Sequence, residues 1–182
     1  MTRLITIVAL MTLTGAALGA EAFKLTSTDI PAGKFGNDQV FNGFGCSGKN
    51  VSPALSWSGV PDGTKSLALT VYDPDAPTGS GWWHWVVINI PVTATGLPNG
   101  AGGANSKTLP AGSRQIRNDF SAAQYGGPCP PKGDSPHRYI FTLYALNVPK
   151  IDLPADASAA YAGFNIRASA LGQTRLNATF GR

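Results

Sequence analysis

The hydrophobic positions of the chain fall in short runs of strand length. β-Branched and aromatic residues dominate these runs, and turn residues border each of them, which is the pattern of β-strands. The runs are FKLTS (23–27), ALSWSGV (54–60), SLALTVYD (66–73), WVVINIP (85–91) and RYIFTLYAL (138–146). The last three are almost continuously apolar, so we expect them to be central strands of a sheet that is covered on both faces.

One segment has helical spacing instead. In DASAAYAGFNIRASALGQ (156–173), apolar residues recur at helical intervals behind a possible N-cap at Asp156 or Ser158. The stretch from 95 to 124 is mostly polar and reads as long loops. No composition break or repeat divides the chain after residue 23, so we expect one domain over 23–182. Its core should be a β-sandwich or mixed sheet with a helix packed late in the chain.

The N-terminus has the organisation of a secretory signal peptide. Arg3 precedes the apolar run LITIVALMTLTGAALGA, and Ala-Glu-Ala (20–22) offers a cleavage site between small residues. Residues 1–22 are therefore interpreted as a signal peptide that directs export to a periplasm-like space; a retained anchor or a buried N-terminal segment are the alternatives. We find no further segment after it that could span a membrane.

The distribution of charge and the number of cysteines bear on which functions are plausible for the chain. The net charge is +4, but the lysines and arginines are spaced singly, so nucleic-acid binding has little support. The chain has two cysteines, Cys46 and Cys129. In an exported protein an even count favours a disulfide, although two small buried residues would fit the sequence as well.

The two histidines occupy similar places. His84 and His137 each stand where a glycine- and proline-rich loop enters an apolar strand, and Asp73 and Asp75 end a third strand. If these strand ends converge, the side chains form one pocket; taken singly, each could instead cap a backbone group. Imidazoles and the few free amides of GGPCPPKG suit an anion such as phosphate. Metal-ligand spacings and a serine-hydrolase elbow are absent from the sequence, so we expect no metal and no cofactor.

The residues DPDAP, GWWHW and GPCPPKGDSPHRY resemble the signature blocks of the phosphatidylethanolamine-binding proteins (PEBPs), also called the Raf kinase inhibitor protein family. The bacterial YbhB/YbcL-type branch is the more similar, over essentially 23–182. The resemblance implies a mainly β fold, with a large antiparallel sheet packed against a smaller sheet and a few helices towards the C-terminus. It also implies a cis peptide bond around Ser80 and Gly81, with Pro74 and Pro77 as further candidates.

The resemblance further implies an anion pocket. The positions that match its ligand-binding residues are Asp73, Asp75, His84, His137 and Tyr139, with Gly127 and Cys129 in the loop that lends backbone amides.

Three functions remain open from the sequence. The first is a non-enzymatic binding protein for a small anion or a phospholipid headgroup. The second is a protein-interaction or inhibitor protein of kinase or protease type, in which the pocket acts as a switch for an unknown partner. The third is a hydrolase that uses a pocket histidine as general base.

Overall fold

The computed structural model describes residues 21–182, which form ten strands and one α-helix. The strands are β1 (Lys24–Thr26), β2 (Asn42–Gly43), β3 (Cys46–Ser47), β4 (Leu55–Ser58), β5 (Ser66–Asp73), β6 (Trp82–Pro91), β7 (Gly96–Leu97), β8 (Arg114–Gln115), β9 (His137–Leu146) and β10 (Ala170–Phe180). The helix α1 spans Ala159–Ala168, and a single 3-10 turn covers Pro31–Gly33.

A five-stranded antiparallel sheet in the order β10-β9-β5-β6-β8 forms the centre of the molecule. A three-stranded sheet, β1-β4-β7, packs on one face of it, and β2 and β3 form a separate hairpin. The predicted mainly β fold of a large and a smaller antiparallel sheet is thereby confirmed.

The strand alternation of β5, β6 and β9 explains why these runs are apolar throughout. Successive side chains of a strand point to opposite faces. On one face Leu69 and Phe141 pack against the small sheet, and on the other Ala68 and Val86 belong to a second core that includes Ile166 of α1. The three strands are therefore covered on both faces, as their continuous hydrophobicity predicts.

The predicted helix is too long at its C-terminal end. It begins as expected, because the Ser158 side chain accepts a hydrogen bond from the Tyr161 amide, but it ends at Ala168. From Ala170 the chain becomes β10 and pairs with β9 in antiparallel register. The helical spacing of 168–173 was outweighed by this pairing, and the alternation in TRLNATF (174–180) is the signal that predicts a strand instead.

The expected cis peptide bond is absent. All peptide bonds of residues 21–182 are trans, including those around Ser80, Pro74 and Pro77. The turn is made instead by the positive φ angles of Gly79 (75°) and Gly81 (66°), a conformation that glycine adopts without strain.

Most of the predicted signal peptide, residues 1–20, lies outside the described residues. Within residues 21–182, no helix has the length and hydrophobicity needed to cross a bilayer.

A disulfide joins Cys46 in β3 to Cys129, across 83 positions of sequence. It fixes the β2–β3 hairpin to the loop that precedes β9. The Arg182 guanidinium adds to this link, because it donates hydrogen bonds to the carbonyls of Phe44, Gly45 and Pro130.

Reduction of the disulfide should lower the free energy of unfolding by roughly 4 kcal/mol, because the bond closes a long loop in the unfolded chain. Urea unfolding with and without a reductant measures this effect. The chain contains only these two cysteines, so the reductant has no other target. Coincident unfolding curves would contradict the stabilising role.

Candidate functional site

The described residues form a cavity of about 170 Å³ at one end of the main sheet. It lies where β5 ends and where β6 and β9 begin, because antiparallel neighbours bring these opposite strand ends together. The polar side chains of its wall are Asp73, Thr78, His84, His137 and Tyr139, and the remaining wall is formed by Phe44, Ala76, Pro77, Trp82, Phe120, Cys129, Pro130 and Pro131.

Asp73 and His137 form a buried hydrogen-bonded pair in the wall. The Nδ1 atom of His137 lies 2.8 Å from Oδ2 of Asp73, and the Asp75 amide donates to the other carboxylate oxygen at 2.8 Å. Asp73 therefore orients the imidazole and leaves its Nε2 for another partner. That nitrogen lies 3.4 Å from Oδ2 of Asp134, whose side chain is 43% exposed. A contact this long at the surface is weak, so a ligand can replace it.

His84 is held by its other ring nitrogen. Its Nδ1 donates to the Gly126 carbonyl at 2.7 Å, since a carbonyl oxygen can only accept. Burial lowers the pKa of His84 to about 4, against the opposing effects of the Gly126 carbonyl and Asp73. His84 is therefore neutral near pH 7, and its Nε2 is a hydrogen-bond acceptor.

Two buried donors of the wall have no acceptor. Among residues 21–182, neither the hydroxyl of Tyr139 nor the indole N–H of Trp82 makes a hydrogen bond. Burial, with further contributions from Asp73 and Asp75, raises the pKa of Tyr139, so its hydroxyl stays protonated. An unpaired buried donor costs roughly 1–3 kcal/mol. Both groups therefore favour a ligand that brings acceptor atoms.

The mouth of the cavity is apolar. Phe44 is 67% exposed, and its ring stacks at a centroid distance of 5.8 Å on Phe120, which in turn lies 5.4 Å from the ring of His84. Asn118 holds the Phe120 loop, because its side chain accepts from the Phe120 amide and donates to the His84 carbonyl. The residues predicted for the site do not include Phe44, Phe120 or Trp82; clustering of aromatic residues around the glycine-rich loops is the sequence signal that indicates them.

Two of the predicted site residues have other partners. Asp75 lies outside the cavity wall and binds the Arg138 guanidinium at 2.6 and 2.9 Å, which lowers the pKa of Asp75 to about 2. The Gly127 amide already has an acceptor, because it donates to Oδ1 of Asn50 at 2.7 Å. A Cβ atom at Gly127 would lie 2.0 Å from the Gln39 carbonyl, so this glycine allows close packing of two loops.

Cys129 does lie in the wall, with its sulfur in the disulfide. Within residues 21–182 there is no group of three or more His, Cys, Asp or Glu side chains arranged to hold a metal ion.

Comparison with known proteins identifies the family of the chain. The model of the family described as "Phosphatidylethanolamine-binding protein" matches residues 28–181. The chain belongs to the phosphatidylethanolamine-binding protein family. Its recognition from the DPDAP, GWWHW and HRY blocks is thus confirmed.

Two proteins of Escherichia coli are similar to this chain over most of their length. The protein YbcL of Escherichia coli is 51% identical over 162 residues, which are 88% of each chain, and YbhB of the same organism is 49% identical over 86% of this chain and 99% of its own. The crystal structure of YbcL superimposes with a TM-score of 0.85 over 88% of this chain and 98% of that one. A Mycobacterium tuberculosis protein named as a lipoprotein, LppC, is 42% identical over 75% of this chain and 63% of its own.

The buried neutral state of His84 should make the stability of this PEBP depend on pH. The unfolded chain binds a proton at His84 near the ordinary pKa of 6.5, whereas the folded chain does so only near 4. The free energy of unfolding should therefore fall by roughly 3 kcal/mol as the pH decreases between these values.

Urea unfolding over this pH range, compared with His84→Asn, measures that contribution. The asparagine amide can donate to the Gly126 carbonyl in place of Nδ1 but does not titrate, so the variant should show a shallower decline. Parallel pH profiles for the two proteins would refute a buried neutral His84.

Proposed function

We propose that this protein binds a small tetrahedral oxyanion, either free phosphate or the phosphoryl group of a headgroup, in the cavity lined by Asp73 and Trp82. The proposal includes that the protein binds this ligand without catalysing a reaction on it. The two unpaired donors, the Tyr139 hydroxyl and the Trp82 indole, are the observation that carries this proposal. An oxyanion offers several acceptor atoms at short separation, so one ligand can satisfy both donors.

The two histidines add to the recognition in different ways. His137 donates from Nδ1 to Asp73, which orients the ring, and its Nε2 can turn to the ligand once the ligand displaces the exposed Asp134. His84 presents an unprotonated Nε2, because its proton is on Nδ1. A ligand oxygen that carries a hydrogen can donate to this atom, as hydrogen phosphate does.

The size and the apolar mouth of the cavity favour a phosphoryl group with a short substituent. A volume of about 170 Å³ holds more than a bare anion, and the rings of Phe44 and Phe120 offer apolar contact to the remainder. Free phosphate and a phosphorylated headgroup share the recognised group, and comparison of inorganic phosphate with phosphoethanolamine distinguishes the two sources.

Binding without turnover is supported by the wall chemistry. The cysteine that lines the cavity is in a disulfide, and the hydroxyl of Thr78 donates to the Gly81 carbonyl, which turns it away from the role of nucleophile. No other hydroxyl of a serine or threonine lines the cavity within residues 21–182. The hydrogen bond from His137 to Asp73 then serves to orient the imidazole for ligand binding rather than to activate a nucleophile.

Export to an oxidising compartment is the second part of the proposal. It is supported by the signal-like sequence of residues 1–22, by the disulfide, and by similarity to a protein named as a lipoprotein.

Replacement of the orphaned hydroxyl tests the binding proposal. Tyr139→Phe should lower phosphate affinity by about tenfold or more, because it removes a hydrogen bond to a charged ligand. It should not lower the stability of the ligand-free protein, since the hydroxyl has no partner there. Isothermal titration calorimetry with phosphate, together with urea unfolding, measures both effects.

The matched control is Tyr125→Phe. This buried tyrosine lies away from the cavity wall and donates to the Gln39 carbonyl at 3.1 Å, so the control should lose stability and keep phosphate affinity. Equal phosphate affinities for wild type and Tyr139→Phe would overturn the proposal.

The protonation of His84 predicts selectivity between oxyanions. At about pH 8, phosphate should bind at least about tenfold more tightly than sulfate, because sulfate has no hydrogen to donate to Nε2 of His84. Sulfate affinity should rise as the pH is lowered to about 4, where His84 takes up a proton, since a protonated Nε2 can then donate to the anion. Titration calorimetry of both ions at the two pH values gives the comparison.

The variant His84→Asn isolates this contribution from that of other titrating groups. It should lose the preference for phosphate and most of the pH dependence of sulfate affinity. If wild-type protein binds both ions equally at about pH 8, His84 does not present an acceptor to the ligand.

A further inference from the structure

The main sheet has a second concave surface, on the face opposite to the cavity. Alternate residues of β5 and β9 point to this face, and α1 covers only part of it. Beside the helix a groove of about 300 Å³ remains, lined by residues of β5, β6, β9, β10 and α1. Tyr72 faces the groove and its neighbour Asp73 faces the cavity, so the thickness of the sheet separates the two sites.

The floor of the groove carries two hydroxyls. Thr70 and Thr142 lie directly opposite each other in the β5–β9 pairing, and both residues are buried. Neither side-chain hydroxyl makes a hydrogen bond with the part of the chain that the structure describes. Both are therefore available to a ligand in the groove.

Two arginines stand at the rim. Arg175 lies opposite Thr142 in the β9–β10 pairing, and Arg167 is in the last turn of α1. Among residues 21–182, the ion pairs include neither arginine, and no carboxylate lines the groove. The nearby cation Arg138 is already neutralised by Asp75. This end of the groove therefore carries two uncompensated positive charges.

Aromatic rings form most of the remaining wall, together with Ile140. The rings of Tyr72 and Trp83 lie 4.8 Å apart, and the Tyr72 hydroxyl is fixed by the Ser80 carbonyl at 2.7 Å. Trp83 also packs on α1 at Gly163, where an added Cβ would lie 3.0 Å from the indole ring. The aromatic wall is thus held in place from both sides and offers apolar surface beside the arginines.

We propose that this groove is a second binding site, for a flat ring that carries an oxyanion, such as an aryl phosphate. The oxyanion lies between Arg167 and Arg175 over the threonine hydroxyls, because guanidinium groups pair with phosphate oxygens through parallel hydrogen bonds. The ring contacts Trp83 and Tyr72. This inference does not depend on the function proposed for the cavity, since the two sites share no residue.

The test uses phenyl phosphate as the probe and amide chemical shifts of the ¹⁵N-labelled protein as the readout. Saturable shifts are expected at Thr70, Thr142 and Arg175. The affinity for phenyl phosphate that these shifts report should be at least about tenfold lower in the double variant Arg167→Gln/Arg175→Gln. Shifts near His84 and His137 report the cavity separately, so a failure at one site is distinguishable from a failure at the other.

The matched control is Lys24→Gln/Lys107→Gln, which removes two exposed positive charges away from the groove. It should leave the affinity at Thr70 and Thr142 unchanged. Absence of saturable shifts on this face would overturn the proposal. An equal loss of affinity in the control would overturn it as well, because the effect would then arise from net charge. Equal affinity for phenol and phenyl phosphate would show that the oxyanion is not recognised.

Discussion

The antiparallel pairing of β5 with β6 and β9 is the constraint on which both sites depend. Antiparallel neighbours place the end of one strand beside the beginnings of the other two. Asp73 at the end of β5 therefore meets His84 and His137, which are near the starts of β6 and β9. Because successive side chains point to opposite faces, alternate residues of the same strands line the cavity and the groove. Asp73 faces the cavity and Tyr72 faces the groove.

The loops around the cavity need separate support, because they contain little regular structure. The disulfide and Arg182 hold the hairpin that carries Phe44, and Asn118 holds the loop that carries Phe120. The hydrogen bonds of Arg182 and Asn118 also satisfy backbone carbonyls and amides that would otherwise be unpaired. Among the described residues, the buried side-chain donors of the wall that lack an acceptor are the Trp82 indole and the Tyr139 hydroxyl, which is why the cavity favours a ligand with several acceptor atoms.

Much of this arrangement could be predicted from the sequence, for identifiable reasons. Continuous apolar runs indicated the central strands, and the position of each histidine before such a run indicated that strand ends carry the site. The signature blocks added Tyr139, which periodicity alone would have placed in the core. The end of α1 was not predictable from helical spacing, because β10 is stabilised by its pairing with β9, a contact distant in sequence.

The roles of Asp75 and Gly127 were not predictable for a similar reason. Motif position indicates that a residue is near the site but does not show which partner occupies its polar atoms. Arg138 occupies the carboxylate of Asp75, and Asn50 occupies the amide of Gly127. Conversely, Trp82 has no feature in the sequence that separates it from Trp83 and Trp85; only the structure shows that its indole N–H is buried without an acceptor.

The most direct test of the central claim is an anomalous difference map from crystals of the protein that are grown without phosphate and soaked in arsenate. Arsenate has the shape and protonation of phosphate and contains an anomalous scatterer. The account predicts a peak in the cavity with oxygen atoms within hydrogen-bond distance of the Tyr139 hydroxyl and the Trp82 indole nitrogen. A cavity that stays empty in a map with arsenate bound elsewhere would contradict it.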